Sequence, residues 1–328
     1  DNEGKRTVNS FFVEFGVPLV SPEMNIPAVQ ALDLQLAYRN EAYNDFEGEG
    51  VTRYALGWTV SDNILFRASS QETFRAPNLY TINEQVVSRV NTRYDWAAVY
   101  ADRAATARGA IPGICVATED ESDATGLPEC SDALWDSDGR YGVIRNTIGS
   151  SDLQAELATN ESAGVVLQFN NFAITYDVWE IVSDRTVGLL GEENSMLIDL
   201  VRRLNGDCSG YDAVSREDPN SDELALMEAL GFPCPFGEAV SVFNPYVNLG
   251  PRTVAGWDGA FMYDADFDWG SVELKHYISY TRKKTQDTHG LVDEIEEAYA
   301  SGLLDQSRYP LAGLGDLLQI EMNPKKKT

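Results

Sequence analysis

Histidine, cysteine and basic residues are all scarce in this 328-residue chain: two histidines, four cysteines, and 25 Lys plus Arg against 52 Asp plus Glu. The formal charge of −27 excludes a nucleic-acid surface, because recruiting a phosphate backbone needs net basic charge. No Cys or His pair has ligand spacing, so no metal site is expected. No cofactor is expected either, since Gly48, Gly50 and Gly57 do not form a phosphate loop. No enzyme is expected: His276 and His289 stand isolated, no G-x-S-x-G nucleophile motif occurs, and no spacing singles out an acid/base pair among the 52 acids. A run of roughly 18 apolar residues is missing, which excludes a transmembrane helix. Polar residues follow Asp1, so no export signal is visible. Disorder is excluded too, because 43% apolar and 10% aromatic residues are ample core formers.

What is present is alternation with a period of two. Eight segments show it, among them Phe11, Val13, Phe15 and Val17; Leu32, Leu34, Leu36 and Tyr38; Tyr54, Leu56, Trp58 and Val60; and Ile174, Tyr176 and Val178. Side chains of a strand alternate sides, so each segment has one apolar face and one mostly polar face. The segments are about ten residues long, which is what a tilted membrane-spanning strand requires and more than the five or six of ordinary sheets. Aromatics fall near the ends of the apolar faces, at Tyr38, Tyr54, Phe169, Trp257, Tyr263 and Tyr280, as interfacial girdles do. Arg39, Arg53, Arg67 and Lys275 fall on the polar faces, and His276 is the one imidazole on an apolar face.

Walking the strands up and down places the short turns at one end: Leu19 to Ala28, Ser61-Asp62-Asn63, Asn170-Asn171, and Asp264 to Gly270. The long connections, roughly 78–160, 187–250 and 284–324, all fall at the other, where Asn44 to Gly50 is the one short link. A membrane barrel has this asymmetry, and a soluble sandwich has no reason to obey it. Three short helices are expected within the long loops, around Met196 to Leu204, Leu224 to Leu230 and Val292 to Tyr299. The acidity is there too: residues 78–155 hold 12 acids and 6 bases, 187–245 hold 11 and 3, and 284–324 hold 8 and 2, leaving these loops with 20 of the 27 net negative charges. The four cysteines share that location. Of their three possible pairings, Cys115–Cys130 and Cys208–Cys234 close the shortest rings and are the expected ones, in an oxidising compartment.

Five stretches, in order along the chain, carry a family resemblance. Val8 to Val20 resembles the "EAFAEVLIPL" strand of TonB-dependent outer-membrane receptors, and Ile64 to Pro77 resembles the strand ending in "SFRAP". Gly149 to Glu156 resembles "GNPDLKPE" with both prolines lost; Ala173 to Arg185 resembles "DYWRIEIDDRI"; and Asn248 to Asp258 resembles "NLGxxxTSGID". The resemblance implies a barrel of about 22 strands around an N-terminal plug, importing a scarce ligand with energy from the TonB complex. The chain departs from that pattern in having no plug, no TonB box and no terminal aromatic strand. The expectation is therefore an all-β fold: about eight strands of an antiparallel up-and-down transmembrane β-barrel, residues 1–328 forming part of a larger barrel domain, with long, partly helical extracellular loops.

The implied partners are outer-membrane lipid, the TonB complex acting through the missing plug, and a siderophore, cobalamin, carbohydrate or peptide ligand. By residue type, Asn78, Tyr80, Asn83, Tyr94, Trp96, Tyr100 and Trp135 of the first long loop can stack on and hydrogen-bond a ligand, and Arg67, Gln71 and Arg75 would line the lumen near the loop base. Two other readings stay open. A soluble all-β carbohydrate-binding or adhesive module would bury its apolar faces under a second layer. A small porin-like barrel would pair its first strand with its eighth.

Overall fold

The structure is a computed structural model that describes residues 4–45, 47–130, 139–287, 290, 292–320 and 326–327. The alternating segments form eight long strands: β1 (Val8–Val20), β2 (Ala31–Tyr43), β3 (Glu49–Ser61), β4 (Ile64–Arg75), β7 (Glu156–Phe169), β8 (Phe172–Asp184), β12 (Arg252–Phe267) and β13 (Gly270–Gln286). The intervening loops contribute β5 (Val87–Tyr94), β6 (Arg140–Ile148), β9 (Val187–Leu189), β10 (Val214–Arg216) and β11 (Ala239–Asn248), and β14 (Gly315–Asp316) and β15 (Lys326–Lys327) follow. One antiparallel sheet, the wall, runs β1-β2-β3-β4-β7-β8-β12-β13-β14, with β15 also on β13. Among the described residues β1 pairs only with β2, so the eight strands do not close on themselves.

Register keeps the two faces separate across the whole wall. Val17, Leu34, Leu56, Ala68, Ala163, Val178, Trp257 and Tyr280 are successive cross-strand partners on one face. A slip of one residue in any pair would move that strand's apolar set to the polar side. Asn170 takes a left-handed φ of 45° in the two-residue turn between β7 and β8, a conformation asparagine tolerates better than most side chains. The strands run 12 to 17 residues, beyond the ten expected. The extra length lies mainly at the long-loop end, where both faces turn polar (Asn40 and Glu41, Asn160 and Glu161, Lys283 and Lys284), and it shortens the loops accordingly.

The hydrophobic core does not belong to the wall. Among the described residues, Ala255 and Ala265 are the only buried apolar side chains of its eight long strands, while Phe11, Phe15 and Tyr54 stand 62, 59 and 53% exposed. Among the described residues no second layer covers the apolar face. The core sits instead in a lobe built from the long loops. There β5 and β6 of the first loop pair antiparallel, β6 pairs parallel with β11 of the second loop, and β10 and β9 add to β11.

Helix α4 (Glu192–Leu204) packs on this sheet, α2 (Trp96–Arg108) and α6 (Asp293–Ala300) pack on α4, and α5 (Ser221–Leu230) packs on α2; α1 (Leu79–Asn83), α3 (Glu119–Thr125) and α7 (Leu317–Ile320) are shorter. Met196, Leu197, Leu200, Leu226, Met227 and Ile295 are the deepest side chains of the shared core. The three expected helices are α4, α5 and α6, with α4 starting earlier, at Glu192.

Both disulfides are present in this lobe, Cys115–Cys130 and Cys208–Cys234, at sequence separations of 15 and 26. Replacing Cys208 and Cys234 by serine is expected to destabilise the lobe by about 2–4 kcal/mol, through the freedom regained by the unfolded loop. Proteolysis of the second loop at graded urea measures it, with the wall strands as the resistant internal control.

Candidate ligand-capture site

Polar chemistry gathers at two places, the polar face of the wall and the loop lobe above it. On the wall face, Arg67 of β4 reaches across β7 to Asp177 of β8 with two charge-assisted hydrogen bonds, Nε to Oδ1 at 2.8 Å and Nη2 to Oδ2 at 2.6 Å. Gly164 makes the crossing possible: a Cβ there would come within 2.0 Å of Asp177 Oδ1. Gly164→Ala is therefore expected to break the Arg67–Asp177 pair while leaving the strand pairing of β7 intact. Hydrogen exchange of the β7 amides, read beside the accessibility of Asp177 to carbodiimide, separates the two effects.

The same face carries Gln35 donating to Glu14, and the Ser69 and Ser162 hydroxyls at 2.9 Å. Gln71 lies between Arg53 and Asn160 in register, and Arg75 at the strand end pairs with Glu156. Two cavities indent this face. One of about 520 Å³ is lined by Asp33, Gln35, Arg53, Arg67 and Ser69; the other, of about 390 Å³, by Glu14, Arg39, Arg53, Gln71 and Thr73.

The first loop leaves β4 through α1. Asn78 caps this helix by accepting from the Tyr80 N–H at 3.0 Å, and the Asn83 amide donates to the Leu79 carbonyl at 2.9 Å. Tyr80 is half exposed, and its hydroxyl donates to Glu84, a bond that pushes the hydroxyl pKa above its ordinary value. Backbone bonds from Gly149 to Glu84 and from Ser150 to Thr81 fasten α1 to the end of β6. Arg67, Gln71 and Arg75 thus share one wall face, and Asn78, Tyr80 and Asn83 follow them along the chain.

The remaining aromatics are inside the lobe. Tyr94 stacks on Trp96 at 5.0 Å, with Arg140 over the outer Tyr94 face at 4.7 Å. Trp96 is 5% exposed and meets the Tyr309 edge, while Tyr100 packs against Phe232 and Tyr309. Trp96 and Tyr100 are spent on packing the core, with Tyr94 at its edge. Trp135 and His289 lie outside the described residues.

A buried ionic cluster that residue types did not announce holds the lobe together. Arg216 of β10 grips Asp95 through two bonds of 2.6 and 2.8 Å and Asp199 of α4 through a third of 2.7 Å. Arg203 also donates to Asp199, Tyr141 to Asp95, and the Arg216 guanidinium lies over the Phe236 ring at 4.9 Å. Asp95 doubles as the N-cap of α2, accepting from Ala97 N–H at 3.1 Å. The one sequence signal for it was an aspartate before an alanine-rich run. No arrangement of His, Cys, Asp and Glu among the described residues gathers as a metal site.

A family model described as TonB dependent receptor-like, beta-barrel, matches residues 1–316. Among solved structures, the chain is similar to the siderophore receptor PirA from Pseudomonas aeruginosa, at 12% identity and TM-score 0.44 over 86% of this chain and 35% of that one. It is similar also to the siderophore receptor PirA from Acinetobacter baumannii (10%, 0.48, 87% and 30%) and to the RagAB peptide importer in its closed-closed state (14%, 0.42, 86% and 23%). The chain thus spans about a third or less of the length of these structures. No curated protein matches it.

Proposed function

The chain belongs to the TonB-dependent receptor-like β-barrel family, and from that premise we propose that it forms part of the wall and the outer vestibule of an outer-membrane importer. The family is one of receptors and transporters, so the chemistry asked of these residues is recognition and passage. The observation that carries the reading is the pairing of an uncovered apolar face with loops gathered at one rim. Hydrocarbon satisfies such a face, whereas water would leave it as a large exposed patch.

In this reading residues 1–328 are part of a larger barrel in the outer membrane of a Gram-negative bacterium, and the lobe lies on the extracellular side. Ligand is met first at the half-exposed Tyr80, with Asn78 and Asn83 beside it, and then passes the wall face bearing Gln71, Arg75 and Arg67. Transport itself would be driven by the TonB complex acting through a plug. The ligand is a scarce solute, a siderophore, cobalamin, carbohydrate or peptide.

A deletion strain grown on limiting iron and, separately, on limiting carbon tests the assignment. A defect rescued by the wild-type gene in only one of these media supports import and names the ligand class; normal growth and uptake of all four classes would reject it. Tyr80→Ala, at the exposed mouth, is the variant expected to raise the half-saturating ligand concentration without changing receptor abundance.

A further inference from the structure

The sheet of the loop lobe ends in an open edge. It runs β10-β11-β6-β5, and among the described residues no strand pairs with the outer side of β5. The edge is eight residues long, and its pairing with β6 runs from Val87–Thr147 to Tyr94–Arg140 without a bulge. Neither proline nor lysine guards it. An unpaired strand turns N–H and C=O groups outward at every second residue, ready for another extended chain.

The charge around this edge is of one sign. β5 and β6 carry Arg89, Arg93, Arg140 and Arg145 and no acid, within a chain of net charge −27. Three of these arginines are engaged: Arg93 and Arg145 lie 3.6 and 3.5 Å from the buried Glu192, and Arg140 covers the Tyr94 ring. Arg89 is exposed and makes no ion pair among the described residues. Its charge reaches the hydroxyls of Tyr80 and Tyr246, which joins the edge to the half-exposed Tyr80. On the other face of β5, Val90 is 70% exposed, and its row continues through Ile144 to Ser241.

We propose that β5 captures an extended acidic peptide, which adds to the lobe sheet as a further strand. The inference rests on the import reading above and names its ligand. Main-chain bonds to β5 hold the peptide whatever its sequence, a carboxylate facing Arg89 selects it, and an apolar side chain on its other face lies against Val90. A second copy of β5 would bring arginine against arginine, so the same charges that admit an acidic strand disfavour self-pairing.

The test is fluorescence-polarisation binding of end-capped peptides, as long as β5, to the detergent-purified chain. A peptide alternating glutamate and valine is expected to bind about tenfold more tightly than one alternating lysine and valine, the size of one charge-assisted pair. The glutamate peptide N-methylated throughout keeps its charge and loses every main-chain donor, so it is expected to bind at least about tenfold more weakly than its parent. R89E, its fold checked by circular dichroism, is expected to reverse the preference between glutamate and lysine. Hydrogen exchange should show β5 amides gaining protection with the glutamate peptide, and β7 and β8 unchanged. Equal binding of the two charges by the wild type, undiminished binding after N-methylation, or bound peptide with β5 amides unchanged would each overturn the proposal. Binding at β5 without uptake in the growth assay counts against import alone; uptake of another ligand class with no binding at β5 counts against this edge alone.

Discussion

Replacing Arg216 with alanine is expected to unfold the loop lobe while leaving the wall paired. The guanidinium is 5% exposed and the two carboxylates it holds, Asp95 and Asp199, are fully buried, so its removal strands two charges in the core. Breaking a buried pair from one side costs roughly 3–5 kcal/mol, a large part of the stability of a small domain. The loss spreads because the cluster joins the start of α2, the middle of α4, and strands β6 and β10, which come from two different loops. Hydrogen exchange should show α2 and α4 amides losing protection together, with β7 and β8 unchanged.

The cluster also sets a pH limit. Burial pushes the Asp95 carboxyl up, but the Arg216 charge and the hydrogen bonds from Arg216, Tyr141 and the Ala97 N–H outweigh it and hold the group below the usual carboxylate range. A folded value below the unfolded one means that the contribution is complete above about pH 4 and is lost as pH falls through the lower, folded value. The lobe should therefore loosen only in strong acid.

The second large effect is on the wall. Val178→Arg places a cation on the apolar face beside Ala163 and Trp257, at a cost of roughly 2–4 kcal/mol in a bilayer. Thr175→Arg, three residues away on the polar face of β8, should cost little, since the proposed passage is water-lined. Urea-dependent folding into lipid vesicles compares the two. Equal costs would mean that the faces see the same solvent.

The wall was legible because its signal is local. Two-residue periodicity, turns such as Asn170-Asn171, and the position of the long loops need no knowledge of distant contacts, and the cysteine pairs were legible because each closes within one loop. The lobe was hidden for the opposite reason. β6 finds β11 about a hundred residues away and in parallel, a pairing that no local pattern encodes. Helix α2 is rich in alanine, so its buried side shows no large apolar stripe, and Trp96 and Tyr100 read as loop aromatics until that helix turns them into the core. Arg67 was placed on the polar face by alternation alone, but its partner Asp177 is 110 residues away. Which charges are exposed to ligand and which are neutralised across the wall depends on that register, not on residue type.

The direct test of the central claim is a nitroxide scan along β8, positions 173 to 179, in reconstituted membranes, reading collision with oxygen against collision with a water-soluble nickel complex. Labels at Ile174, Tyr176 and Val178 should report hydrocarbon, and labels at Ala173, Thr175, Asp177 and Trp179 should report water or protein contact, in strict alternation. Water exposure at both sets, or protein-like immobilisation of the apolar set, would contradict a wall that faces lipid.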